Sequence, residues 1–421
     1  MKLEPIDDFI SYAGDTEQAR YIINYAKHLE CAKMYIEEKY TDKDYMMDYQ
    51  SFYSRSFEEI PNTVKRVFFF SDKISSENLI GGEMSDDIVQ ELCAGFTSIK
   101  PVEDGKGNSI IGRTVLKHYD AGKRKVFLET KQHAHMVGRE MNFKTLPFKC
   151  QDVAVGACAS TALWVAMNGL KDHFDIPSMS LFEITEIASR YPTPNEGRMF
   201  PSKGLTHDQM CMFLHEMGLE ADMVNLAEAD NIDEDLVESV LKAFMPANIS
   251  IIAGLNLKHG SGEDHHAVVI SGYQVSNGGK ISKIYVHDDQ VGPYASVKSD
   301  DGFRTWIYDR KDIWRKYYDS VELEFLMVPL YHKIRLPFFT AWEFRNKAKR
   351  ELQNVPSVRL ANSSQYKKEL REREPEKPTD LEQPMPKYVW IYTFESGNNF
   401  IDIIHDATSA YSRHICAICH K

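Results

Sequence analysis

Cys150-Gln-Asp-Val-Ala-Val-Gly-Ala-Cys158-Ala-Ser-Thr-Ala-Leu-Trp-Val-Ala-Met-Asn-Gly-Leu170 is the stretch whose reading decides the fold. The small residues before Cys158 permit a tight approach loop. From Cys158 onward, Ala159, Ala162, Leu163, Val165, Ala166, Met167 and Leu170 leave almost no polar side. A helix apolar on nearly every face belongs in the middle of a domain. A helix that begins at or next to Cys158 turns its free N–H groups and partial positive charge toward that sulfur, which favours thiolate over thiol. Thiolate chemistry also needs a base, a group that orients the base, and donors for an oxyanion. Gln151, seven positions upstream, carries a side-chain amide suited to the last role, together with the Cys158 backbone N–H.

The base and its partner are sought downstream. His265-His266-Ala-Val-Val-Ile-Ser-Gly-Tyr273 sets histidine at the mouth of an apolar strand, and Ile284-Tyr-Val-His-Asp288-Asp289 ends the next strand in two acids. Paired antiparallel, these strands bring an acid beside the imidazole, where it accepts the ring N–H and fixes the tautomer. His265 and Asp289 stand as adjacent alternatives. Between the cysteine and the histidine, periodicity predicts helices at Leu181 to Arg190, Thr206 to Met217 and Asp233 to Phe244. Strands are expected at Ile249 to Gly254, Ala267 to Gln274, Ile281 to His287 and Leu323 to Tyr331, with Asn277-Gly278-Gly279 as a hairpin turn. Helices first and an antiparallel sheet second is an α+β order.

Gln151, Cys158-Ala-Ser-Thr-Ala-Leu, Gly204-Leu-Thr, His266-Ala-Val-Val-Ile-Ser-Gly-Tyr and Tyr285-Val-His-Asp288 together resemble a papain-like cysteine peptidase of the C39-like type, over residues 146 to about 335. The resemblance implies Cys158 as nucleophile, His266 as general base and acid, Asp288 as the orienting acid and Gln151 as an oxyanion donor. It implies hydrolysis of a peptide or isopeptide bond through an acyl-enzyme, on a protein or peptide substrate and without a cofactor or metal. Ala159 stands where the family commonly has glycine, and the Gln-to-Cys spacing is one residue longer than usual. The same triad would serve a transglutaminase-like acyltransferase or deamidase, and a degenerate site would leave a papain-fold binding module.

The rest of the chain sets the context. Among its 421 residues, 43% are hydrophobic and 27% charged, a globular balance. The net charge of −12 disfavours general binding to nucleic acid. No apolar run reaches the ~20 residues that cross a bilayer, so no membrane partner is expected. The start of the chain lacks the apolar core of a signal peptide. Seven scattered cysteines suit reduced thiols in the cytoplasm better than a disulfide framework. Residues 1–145 read as an N-terminal α+β domain, regulatory or substrate-recruiting. A helix is expected from Asp15, with Gln18 completing a capping box, to about Lys39. Strands are expected at Val64 to Phe70, Phe96 to Val102, Ile110 to Leu116, Val126 to Thr130 and Met141 to Phe148. Residues 336–421 read as a C-terminal extension: a helix at Pro337 to Leu352, a solvated charged linker over 369–386, and short strands at Tyr388 to Phe394 and Phe400 to Ile404. Cys416 and Cys419, with His414 and His420, are half of a zinc pattern and read as a mobile tail. His133 and His135 read as a solvated strand face.

Overall fold

The computed structural model describes residues 3–81, 84–119, 122, 124–152, 154–190, 204–226, 235–309, 317–373, 378–397 and 399–420. The fold is α+β, with several antiparallel sheets. The first sheet runs in chain order: β1 (Leu3–Pro5), β2 (Cys31–Tyr40), β3 (Val64–Ser71), β4 (Cys93–Glu103) and β5 (Ser109–Leu116). Helix α1 (Glu17–His28) precedes β2, and α2 (Lys43–Ser51) follows it.

The long helix expected from Asp15 to Lys39 is therefore shorter. It starts after Thr16, whose hydroxyl accepts from the Ala19 N–H at 3.1 Å, while Asp15 instead pairs with Arg20 at 2.6 Å. It ends at His28, and Glu30 takes a left-handed conformation with φ 60°. Residues 31–40 then form a strand bonded to β1 on one edge and β3 on the other. Two ladders of backbone hydrogen bonds outweigh the helical spacing of Ala32 and Ile36. The stretch Tyr45 to Phe57 has poor periodicity and no element is read there from the sequence; its first part lies in the helix Lys43–Ser51, which Asp42 caps at the Tyr45 N–H.

Strand β6 (Arg124–Val126) leaves this region and pairs with β11 (Gly262–Val275) of the second sheet. The hairpin of β7 (Thr130–Met136) and β8 (Arg139–Thr145) follows. On β7 the residues alternate between buried and exposed, and His133 and His135 lie on the exposed side.

Helix α3 (Cys158–Phe174) runs through the interior, buried at nearly every position from Ala159 to Leu170. Against it lies α4 (Leu181–Ser189), which in turn packs on α5 (His207–Glu216), and each of these two is opened by a reciprocal capping box, Ser180/Glu183 and Thr206/Gln209. After β9 (Leu219–Asn225) comes α6 (Leu236–Phe244); residues 233 and 234 of the expected helix lie outside the described residues. The second sheet is completed by β10 (Ile251–His259), β11, β12 (Ile281–Asp288), β13 (Gly292–Lys298), β14 (Ile307–Tyr308) and β15 (Ser320–Tyr331), in the order 14-13-12-11-10-15-9. All its pairings are antiparallel.

Helix α7 (Phe338–Leu352) leads to a third sheet, β16 (Ser357–Asn362), β17 (Tyr388–Ser396), β18 (Asn399–Asp406) and β19 (His414–His420). The stretch expected as a linker carries the end of α8 (Ser363–Arg373) and a short helix at Pro378–Glu382. The expected mobile tail is strand β19, with Cys416 opposite Ile404 and Cys419 opposite Ile401. His420 is buried, 3.1 Å from Asp402, which also accepts from the Tyr366 hydroxyl at 2.8 Å. The pull on this strand is Ile418 and His420 pointing inward, a period-2 pattern masked in sequence by the cysteines. One continuous cluster of buried side chains runs from Ile6 to Ala407. No described helix is long and apolar enough to cross a membrane.

Candidate active site

Cys158 is the first residue of α3, with Ala157 as its N-cap. The loop before it lies tight against the helix. A side chain at Gly156 would sit 3.1 Å from the Ser160 Cβ and 3.3 Å from the Leu181 Cβ. Ser160 and Thr185 share a buried hydroxyl–hydroxyl bond of 2.7 Å that ties α3 to α4. The sulfur thus stands at the positive end of a helix that cannot shift without disturbing its neighbours.

His266 lies within β11, and Asp288 is the last residue of the adjacent β12. Their side chains are wholly buried, with Nε2 of the imidazole 2.9 Å from Oδ1 of the carboxylate. The other carboxylate oxygen, Oδ2, accepts from the Tyr308 hydroxyl at 2.7 Å, and Oδ1 also accepts from the Gln290 N–H at 3.0 Å. Cys158 lies near enough to the same imidazole to be among the groups that raise its pKa. The Gln290 amide nitrogen lies 3.5 Å from Nδ1. Burial alone would push the ring toward its neutral form. The Asp288 charge, the hydrogen bond to Asp288 and the neighbouring Cys158 outweigh burial and hold His266 well above the ordinary histidine range. Cys158, His266 and Asp288 are therefore brought together from one helix and two neighbouring strands.

The neighbouring residues separate by geometry. His265 points to the other side of β11, exposed, with Nδ1 3.2 Å from Glu324. Asp289 is buried beside the pair, 3.5 Å from His266 Nε2. Burial and the Asp288 charge push its carboxyl up to about 7, against the pull of His266. His266, Asp288 and Asp289 form the one cluster of possible metal ligands among the described residues, but Nε2 and both Asp288 oxygens are already engaged in the bonds above.

Gln151 is half-buried, and its backbone N–H favours the charged form of Asp289, which places it on the acid side of the pair. The next residue, Asp152, is fixed from the N-terminal sheet. Its carboxylate takes Lys100 Nζ at 2.7 Å and the Tyr53 hydroxyl at 2.5 Å, with Asp48 3.5 Å from the same ammonium. All four groups are buried. Gln151 and Gln290 line a recess of about 550 Å³ with Gln18, Tyr317 and Tyr318. Glu17, Gln18 and Lys106 supply the N-terminal side of that recess, and the Gln18 amide donates to the Asp289 carbonyl at 3.4 Å.

Sequence reasoning does not single out Tyr308, Gln290, Lys100 or Gln18 as site residues. Gln290 is legible in principle, because an aspartate accepting from the N–H two residues on is a familiar local turn. Tyr308 and Lys100 carry no such signal, since their partners are distant in the chain.

No family description and no curated protein matches the chain. Among solved structures it is similar to the active wild-type interpain A cysteine protease of Prevotella intermedia, at 18% identity over 54% of this chain and 85% of that one, with a TM-score of 0.22. That score is too low for the likeness to bear on the chemistry, which rests on the site's own geometry.

Proposed function

We propose that the chain is a cysteine hydrolase of the papain-like, C39-like type that cleaves a peptide or isopeptide bond. One observation carries this reading: a thiol at the first turn of a buried helix stands beside an imidazole whose Nε2 is held by a buried carboxylate. Nε2 of His266 is committed to Asp288, which leaves Nδ1 for the sulfur.

His266 takes the Cys158 proton, and the resulting imidazolium is stabilised by Asp288. The sulfur attacks the carbonyl carbon, and negative charge moves to the carbonyl oxygen. The Cys158 backbone N–H and the Gln151 amide are the donors assigned to that oxyanion. His266 returns the proton to the leaving amine as the C–N bond breaks. Water, deprotonated by His266, then releases the acyl group and restores the thiol. The substrate is a protein or peptide, reached through the recess between Gln151, Gln290 and the N-terminal wall. Residues 1–145 recruit or screen that substrate. All seven cysteines are free thiols, which supports a reducing, cytoplasmic setting.

Alkylation by iodoacetamide at pH 6, mapped by peptide mass, tests the assignment. Cys158 is expected to react well ahead of the similarly accessible Cys211, and Cys158→Ala to fold normally while losing all hydrolysis of a mixed peptide library. Turnover by Cys158→Ala, or equal alkylation of the two thiols, overturns it.

A further inference from the structure

Three arginines fall among the buried residues described: Arg66, Arg124 and Arg345. Two are paired with acids. Arg66 meets Glu37 at 2.6 Å, and Arg345 meets Asp235. Arg124, at the start of β6 and only 8% exposed, has no hydrogen-bond partner at Nε, Nη1 or Nη2. Its guanidinium is enclosed by rings instead, 4.1 Å from the centre of Tyr285, 4.3 Å from Tyr119 and 5.3 Å from Tyr294. Ring faces attract the cation but accept none of its five N–H groups in the plane of the fork.

Among the described residues the acids of this region are already engaged, including Asp309, which lines the recess beside Tyr119. Glu129 is bound to His118 at 2.6 Å and Lys144 at 2.8 Å. Asp309 is bound to Lys283 at 2.8 Å and Lys298 at 2.7 Å. A second polar group in the same place is also unsatisfied: the buried hydroxyl of Tyr25, whose ring packs on Tyr119 and Tyr294. Tyr25, Tyr119 and Tyr294 line a recess of about 390 Å³ together with Tyr21, His28 and Tyr308. The guanidinium does not itself line the recess but packs against Tyr119 and Tyr294, two of the rings that do. Of the three rings around it, Tyr119 is the part-exposed one and hence the door.

We propose that this tyrosine-lined recess is a binding site for a small oxyanion, a carboxylate or phosphate group, which turns Tyr119 aside and takes the Arg124 fork and the Tyr25 hydroxyl. A planar guanidinium matches paired oxygens of either group, and the rings supply a surface for a flat organic body. The volume suits a small molecule. The site is separate from the thiol and stands whether or not the chain is a hydrolase. It does share Tyr308, whose hydroxyl holds Asp288, so an occupant lies against the ring that supports that acid.

Calorimetric titration of the full chain with sodium benzoate, and separately with sodium phosphate, at an ionic strength fixed with sodium chloride, tests the site. Saturable one-site binding of at least one anion is expected, weakened at least about tenfold in R124Q. Saturation by benzoate alone assigns a ring-borne carboxylate, and by phosphate alone a phosphate group. If R124Q does not fold, R124K keeps a cation among the same rings but loses the planar fork, and the same loss is expected. No saturable heat with either anion, or an undiminished affinity in a folded variant, overturns the proposal and leaves Arg124 as a cation held by rings alone.

Discussion

At His266, carboxylates stand 2.9 and 3.5 Å from a single ring nitrogen, and the two acids do unequal work. Asp288 has every oxygen engaged, so it holds the ring in one orientation. On the proposed mechanism Asp288→Asn should leave the fold intact and lower kcat by roughly 10²–10⁴-fold, read on the peptide of the mixed library that is cleaved best. Asp289 is the acid that resists charging. It titrates at about 7 in the fold, against about 3.9 in an unfolded chain. Between those values the native state holds a proton that the unfolded chain has released, so stability falls as pH rises through this window. Asp289→Asn removes that loss. Its melting temperature should exceed the wild type's most above pH ~7 and least near pH ~4. A gap independent of pH would contradict this account. That a histidine of β11 meets an acid at the end of β12 is legible in the sequence because the strands are adjacent and antiparallel, whereas His266 is separated from His265 only by the structure, which leaves His265 exposed beside Glu324. The asymmetry between Asp288 and Asp289 is not legible, because it depends on Tyr308 reaching in from β14.

Elements whose character is carried by their own residues can be read from sequence. Helix α3 is apolar all round, and α5 carries its own capping box. Thr206→Ala should cost about 1 kcal/mol in urea unfolding, the ordinary worth of such a cap. Elements that depend on partners are misread. Residues 31–36 have spacing that suits a helix, yet β1 and β3 recruit them into a sheet. Strand β19 reads as a tail because its partner β18 is what orders it. The buried set of Lys100, Asp48, Asp152 and Tyr53 belongs to the same class. It joins β4 and α2 to the loop that carries Gln151, and nothing local announces it. Lys100→Met leaves two buried carboxylates without their cation and should cost about 3–5 kcal/mol in denaturant unfolding. The Lys100→Met, Asp152→Asn double variant should recover part of that loss.

For the whole molecule, buried histidines contribute to the acid side of the stability profile. Burial pushes His287 down to about 3 and His405 down to about 4. Each is neutral in the fold and charges on unfolding below pH ~6.5, so the stability it contributes is present above that pH and is lost as pH falls toward the folded value. His266 runs the other way. Its raised folded value gives stability below pH ~6.5 that is lost as pH rises through the folded range. Over pH ~6.5 to ~4, His287 and His405 lower the urea midpoint while Asp289 acts in the opposite direction, so a folded His405→Asn variant should lose less, or gain more, than the wild type on acidification through this range. An identical slope in that variant would remove His405 from the account.

Strand β6 makes the two ends of the sequence mutually dependent. It lies early in the chain, yet its ladder is with β11, while Thr114 of β5 bridges Phe148 and Lys100 reaches Asp152. A gene divided after Leu128 would yield two polypeptides, each presenting the unpaired backbone of β6 or β11 and one half of the buried Lys100–Asp152 pair to water. Expressed singly, both should go to inclusion bodies; co-expressed, they should reassemble and elute together at the size of the intact chain.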